Sequence, residues 1–193
     1  MTAALDAARA LPAVSLDRKL RIVMADDDRN DQMLMVMATD EARAPIELSF
    51  VDDGAELLNR LSMIGTLDDL PDAIVLDLRM PRLDGHRTLD RLQAHPVLWQ
   101  IPVVVFSTSH RYVDIRLSHD LGARDFETKP DSFSGMIDFV TRLAVIVAQR
   151  QPYEDPAGAL GDPRCQRALL GPDLVSDMDD LLLEDLDLLD PII

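Results

Sequence analysis

The stretch Ile74–Gly85, IVLDLRMPRLDG, decides how the rest of the chain is read. It continues an apolar run, Ala73–Leu76, of the kind a strand buried on both faces requires. The run stops at a carboxylate, Asp77, and loop chemistry follows at once with Pro81 and Asp84-Gly85. A strand that ends on an acid and breaks into a loop delivers that acid to the carboxyl edge of a sheet. In open α/β sheets ligands bind at that edge. Asp77 is therefore a candidate nucleophilic carboxylate. Its competing role is an Asp that merely starts a turn, and Asp77 taken alone favours that plainer role.

The chain has 193 residues, which suits one core-bearing domain plus an appendage. Apolar residues make up 47%, a globular proportion. The formal net charge of -16 argues against a nucleic-acid-binding surface, which needs clustered Lys and Arg. The single cysteine, Cys165, excludes an intramolecular disulfide and a cysteine-based zinc site, and fits a reducing cytoplasm. No apolar run reaches the length of a membrane span. Asp6 with no basic residue before it makes the N-terminus a poor signal peptide. His86, His95, His110 and His119 lack metal-ligand spacing, and surface or loop roles are expected for all four.

Taken in order, residues 1–18 form an N-terminal extension without an assigned role. Leu20–Ala25 is a first buried strand that runs into Asp26-Asp27-Asp28. Adjacent carboxylates repel, so a cation is expected beside them; the alternative is a solvated acidic turn that caps the next helix. That helix begins near Asn30 and is expected to turn Met33, Leu34, Met37 and Ala38 inward. Ile46–Val51 is a second strand, followed by a short helix over Ala55–Leu61. The Asp77 strand is third, with a helix over His86–Ala94. The loop His95–Pro102 contains Trp99, expected to pack. Val103–Phe106 is a fourth strand ending in Ser107-Thr108-Ser109, with a helix over Val113–Leu121 that stops at Gly122. Ala123–Thr128 is a weaker fifth strand ending at Lys129-Pro130, and Phe133–Arg150 is the last helix of the domain. Strand and helix patterns alternate five times, the mark of an α/β fold with a parallel sheet covered on both faces.

The strand ends then collect Asp26, Asp27, Asp77, Ser107, Thr108 and Lys129. Each has a chemical reason to be there if Asp77 accepts a phosphoryl group. Mg²⁺ prefers carboxylate oxygens, water and phosphate. Asp27 and Asp77 are candidates to bind it directly, and Asp26 to hold a metal-bound water. The ion would offset both carboxylate repulsion and charge developing on the phosphoryl group. Ser107 is a candidate donor to one phosphoryl oxygen. Lys129 is a candidate partner for another, or for Asp77 itself when no phosphate is bound.

With Asp26-Asp27, the run Asp77-x-x-Met80-Pro81-x-x-Asp84-Gly85, Ser107-Thr108 and Lys129-Pro130 in place, the chain resembles a receiver domain of two-component response regulators over about Lys19–Arg150. The resemblance implies a flavodoxin-like, doubly wound five-stranded parallel sheet in the order 2-1-3-4-5. It also implies phosphorylation at Asp77 by a histidine kinase, and Mg²⁺ held by Asp26, Asp27, Asp77 and the Arg79 backbone carbonyl. Switch residues at Ser107 and Phe126 are implied too, with no enzyme activity beyond self-phosphorylation and autodephosphorylation. The runs ADDDRNDQ, IPVVVFSTS and GARDFETKP are similar to single-domain regulators paired with phytochrome-type kinases. A homodimer through the face of the fourth helix, fifth strand and last helix is expected from the family's habit.

Three departures modify these expectations. Ser107 stands where Thr is commoner and keeps the donor. Phe126 replaces a frequent Tyr, so a switch there would be steric. Arg79, two residues after Asp77, is either a contact to the phosphoryl group or a solvent-facing loop residue. Two other functions compete: a pseudo-receiver that works without phosphorylation, and an Asp-nucleophile phosphatase of the haloacid-dehalogenase type. The phosphatase requires a second Asp two residues after the nucleophile, where this chain has Arg79. The pseudo-receiver is expected to lack a site residue, and none is missing.

Residues 151–172, rich in Pro and Gly, read as a linker, and 173–193 as an acidic amphipathic tail. Leu174, Met178, Leu181, Leu182, Leu186 and Leu189 share one helical face, and no Lys or Arg follows Arg167. An interaction segment for a partner, a helix docked on the receiver or a second subunit, and a plain solubilising tail all fit that pattern.

Overall fold

The computed structural model describes residues 18–149, 152–155 and 158–170. The N-terminal extension up to residue 17 and the acidic tail read over 173–193 lie outside the described residues. Five βα units follow one another. They are β1 (Leu20–Ala25) and α1 (Arg29–Glu41), β2 (Ile46–Val51) and α2 (Gly54–Ser62), β3 (Ala73–Leu76) and α3 (Gly85–Ala94), β4 (Val103–Ser107) and α4 (Tyr112–Asp120), and β5 (Asp125–Thr128) and α5 (Phe133–Ala148). All strand pairs are parallel and the sheet order is β2-β1-β3-β4-β5. The expected flavodoxin-like order is therefore the observed one.

Period-two alternation splits each central strand between two cores. Ile22, Met24, Val75, Val104 and Phe106 point to one side, where α1 supplies Met35 and Ala38 and α5 supplies Phe139, Val140, Leu143 and Val147. Phe106 stacks on Phe139 with ring centroids 4.4 Å apart. Val23, Ala25, Ile74, Leu76 and Val105 point to the other side, under Leu57, Leu58 and Leu61 of α2 and Leu89 and Leu92 of α3. β3 is buried at all four positions because it is central in the sheet and covered on both faces.

Several expected placements are corrected. In α1 the inward residues are Gln32, Met35, Ala38 and Thr39, while Met33 and Met37 are 58% and 49% exposed. Gln32 is drawn in by a bond from Nε2 to the Asp26 carbonyl at 2.6 Å, and Thr39 by one from Oγ1 to the Met35 carbonyl at 2.8 Å. Trp99 is 54% exposed and its indole N–H bonds the Pro96 carbonyl. His95 is buried, and its Nδ1 accepts from the amides of Val97 and Leu98 at 3.2 and 3.1 Å. Burial pushes its pKa below the usual histidine value.

Part of the stretch read as a linker is packed. Residues 163–170 are helical (α6), and Ala159, Leu169 and Leu170 are buried in the core on the α2/α3 side. Arg91 of α3 bonds the Leu170 carbonyl, Tyr153 bonds the Pro71 carbonyl, and Gln100 exchanges bonds with the backbone of Glu154. Among the described residues no helix is long and apolar enough to cross a membrane.

Candidate phosphoacceptor site

β1 and β3 are neighbours, and their register sets Ala25 beside Leu76. Asp26 and Asp77, the next residue on each, therefore leave the sheet side by side. The Asp77 amide bonds the Ala25 carbonyl at 3.0 Å, which extends the ladder to the acid itself. On the other flank the Lys129 amide bonds the Ser107 carbonyl at 2.9 Å, so the ends of β4 and β5 are fixed in the same way.

The loop after β3 is braced from two directions. Asp84 caps α3 by accepting from the Arg87 amide, and Gly85 begins the helix. A Cβ on Gly85 would fall against the Asp77 carbonyl and only 2.8 Å from Leu78 Cα, so the helix start approaches the Asp77 backbone this closely only with glycine. Arg82, at a positive φ of 55°, reaches the buried Asp53, which also caps α2 through the Glu56 amide. Asp84, Gly85 and the Arg82–Asp53 pair thus hold one loop in one place.

Carboxylate oxygens of Asp26, Asp27 and Asp77 lie within 4.8 Å of one another. Asp26 and Asp77 are buried, and Asp27 is exposed at the rim. The cation expected beside them is Lys129. Its Nζ lies 2.7 Å from Asp26 Oδ2 and 3.4 Å from Asp77 Oδ2. The remaining Asp26 oxygen accepts from the Asp28 amide at 2.9 Å. The remaining Asp77 oxygen accepts from the Leu78 amide at 2.7 Å, so Oδ2 is the oxygen that faces the lysine. Burial pushes the Asp26 carboxyl up to about 6, against the opposing pull of its bond to Lys129. For Lys129, burial favours the neutral amine, but hydrogen bonds to Asp26 and to Asp31 outweigh it and hold the ammonium above its ordinary value.

Asp31 is the residue that sequence reasoning missed. It stands in the first turn of α1 and its Oδ2 lies 2.7 Å from Lys129 Nζ. Its place directly after an acidic strand end was the available signal. Three carboxylates, Asp26, Asp31 and Asp77, therefore share the Lys129 ammonium, and a fourth, Asp27, lies beside Asp26 and Asp77 at the rim. That local excess of negative charge, made of hard oxygen donors, fits a divalent cation.

Ser107 is fully buried, with its Oγ accepting from the Ser109 amide at 3.4 Å. Arg79 is exposed and bonds the hydroxyl of Thr108, linking the loop after β3 to the loop after β4. Phe126 is half-buried against the core on the α2/α3 side.

Comparison with known proteins agrees with this arrangement. The model of the response regulator receiver domain matches residues 22–141. The response regulator Rcp1 of a Synechocystis species is 29% identical over 121 residues, which cover 62% of this chain and 82% of Rcp1. The crystal structure of the phosphorylated cyanobacterial phytochrome response regulator RcpA superposes with a TM-score of 0.61 at 30% identity, covering 71% of this chain and 99% of that one. The Mn²⁺-bound form of Rcp1 superposes with a TM-score of 0.60 at 25% identity, covering 70% and 99%. Matched over more than half its length and near phytochrome-associated regulators, the chain belongs to the receiver domain family of two-component response regulators.

Proposed function

We propose that this receiver is switched by phosphorylation of Asp77 and passes the signal on through protein contacts. The observation that carries this reading is Asp77 Oδ2, buried at the strand end and facing an ammonium at 3.4 Å. In the step, Asp77 Oδ2 attacks the phosphorus of a phosphohistidine on the kinase. The new P–O bond forms as the P–N bond breaks, and the electron pair stays on the departing imidazole. Lys129 pairs with one phosphoryl oxygen and the Ser107 hydroxyl donates to another. Asp26, Asp27 and Asp77, with the Arg79 carbonyl as a neutral fourth oxygen, would hold Mg²⁺. When bound, the ion supplies charge neutralisation for the phosphoryl oxygens. The geometry favours no turnover beyond the chain's own phosphorylation and its reversal by water, because Arg79 stands where a phosphatase of this type needs an acid.

Phosphorylation adds negative charge that draws Ser107 and Lys129 toward Asp77. Ser107 ends β4 and Lys129 follows β5, so the loops leading into α4 and α5 follow, with Phe126 repacking. Tyr112, Val113 and Leu117 of α4 are 70%, 61% and 40% exposed, an apolar surface suited to a homodimer through the α4–β5–α5 face. A phytochrome-type histidine kinase as donor, and a cytoplasmic location, follow from the same reading. We place the receiver at 19–150, with 1–18 as an extension, 151–172 as a connecting segment and 173–193 as a segment that binds a partner.

Incubation with Mg²⁺ and acetyl phosphate, followed by intact mass measurement, tests the proposal. One phosphoryl group should add to the wild type and none to Asp77→Asn. Failure of uptake with Mg²⁺ demonstrably bound would refute it.

A further inference from the structure

Lys129 is held by three acids from three different elements. Asp26 follows β1, Asp77 follows β3, and Asp31 belongs to α1. The two short contacts, both 2.7 Å, go to Asp26 and Asp31, while Asp77 is the distant one at 3.4 Å. Asp26 lies at the floor of the pocket with its side chain 1% exposed, and stays near Asp77 whatever the lysine does. Asp31 is different. Its side chain is 24% exposed and it approaches the ammonium from the helix rather than from the sheet. The ammonium has three N–H donors, two of them committed at 2.7 Å, and moving it closer to a group attached to Asp77 lengthens one of those two bonds. The bond to Asp31 is the one to yield, because the Asp26 carboxylate is fixed on its other oxygen by the Asp28 amide.

We infer that Asp31 is a positioning residue that holds Lys129 in a resting place and competes with the phosphoryl group on Asp77 for it. This inference rests on the phosphoacceptor reading above. Its consequence is that Asp31 sets how strongly the occupied site is favoured, without touching the phosphoryl group. A receiver with Asp31 neutralised commits its lysine to the phosphoryl group more completely.

The beryllium trifluoride anion, which adds to a carboxylate oxygen in the shape of a phosphoryl group, is the probe. Its affinity for the full chain at saturating Mg²⁺ is read by ¹⁹F NMR in wild type, Asp31→Asn, Asp31→Glu and each of these with Lys129→Met. Asp31→Asn is expected to bind roughly five-fold more tightly, the scale of one partly exposed ion pair. Asp31→Glu keeps an anion within reach of Lys129 and should remain within about two-fold of wild type, since the ion pair is retained. The gain should vanish when Lys129 is Met. An Asn variant that binds no tighter than wild type, a Glu variant as tight as Asn, or the same gain without Lys129 would overturn the inference and leave Asp77 as phosphoacceptor. The last result would mean that Asp31 acts only as bulk negative charge. Absence of binding in the wild type would instead overturn the phosphoacceptor reading, and this inference with it.

Discussion

Replacing Asp26 by Asn is expected to stabilise the metal-free protein at neutral pH, although the residue belongs to the site. The magnitude follows from its surroundings. Burial moves the Asp26 carboxyl from its ordinary 3.8 to about 6, even with Lys129 attached. That difference is worth about 3 kcal/mol between the charged and neutral forms. Between those two pH values the folded protein keeps a proton that the unfolded chain has released. Stability therefore falls as pH rises through the window, and the full cost is present above it. Asn is neutral at every pH and carries no such slope. Its amide cannot accept from Lys129 as the carboxylate does, so a gain of about 1–3 kcal/mol near neutrality is the expectation. Lys129 does not confuse the measurement. Its raised value means that its stabilising contribution is complete below the ordinary lysine range and is lost only above it, far from the window. Urea unfolding followed by circular dichroism, with EDTA present and at several pH values between roughly 4 and 8, gives the difference between variant and wild type. The difference should be largest above about pH 6 and shrink toward zero near pH 4. A difference that does not change with pH, or a variant less stable than wild type near neutrality, would refute the reasoning.

Gly85→Ala should lose about 1–3 kcal/mol, because the new Cβ meets the backbone of Asp77 and Leu78 rather than a side chain that can swing away. Phosphoryl uptake from acetyl phosphate should slow in the folded fraction as Asp77 is displaced. Leu169→Ala should lose about 2 kcal/mol or more, since the side chain is 2% exposed in the core on the α2/α3 side. Hydrogen exchange should show that loss as earlier opening of 158–170, with β1 and β3 protected as before.

The sequence carried the sheet because its three central strands are buried on both faces, which forces near-continuous apolar runs such as Ala73–Leu76 and Val103–Phe106. It carried Asp26, Asp27, Asp77 and Lys129 because parallel strands all point their carboxyl ends the same way. Asp31 was hidden because its function depends on which helix face meets α5. That face was misread through the methionines. Met33 and Met37 look like core, yet the inward side includes Gln32 and Thr39, whose polar atoms are satisfied by backbone carbonyls. His95 was missed for the same reason: a histidine that accepts two backbone N–H groups is invisible to composition. Pro and Gly in 151–172 signalled a connection correctly at the level of the backbone. They could not reveal that Ala159, Leu169 and Leu170 find an apolar surface to cover.

The two ends of the sheet are built on opposite electrostatic terms. At the amino ends of the strands the buried Asp72 is matched by Arg18 through two bonds of 2.6 and 2.8 Å, with the Arg21 amide adding a third at 2.8 Å. One acid there has a dedicated partner, and residues 152–155 pack beside it through Tyr153. At the carboxyl ends Asp26, Asp31 and Asp77 divide the Lys129 ammonium, and burial drives one of them toward its neutral form. An end whose charges are matched resists rearrangement, because any movement leaves a buried ion alone. An end with surplus charge has alternative pairings of similar energy. Lys129 can exchange Asp31 for a group on Asp77 without leaving any acid worse placed than its neighbours already are. Since that lysine joins β5 to α5, the exchange pulls on the backbone of the edge strand, where β5 is only half-buried at all four positions and yields most easily. If Asp77 is phosphorylated as proposed, the imbalance of charge at one end and the balance at the other would together direct the response toward α4, β5 and α5.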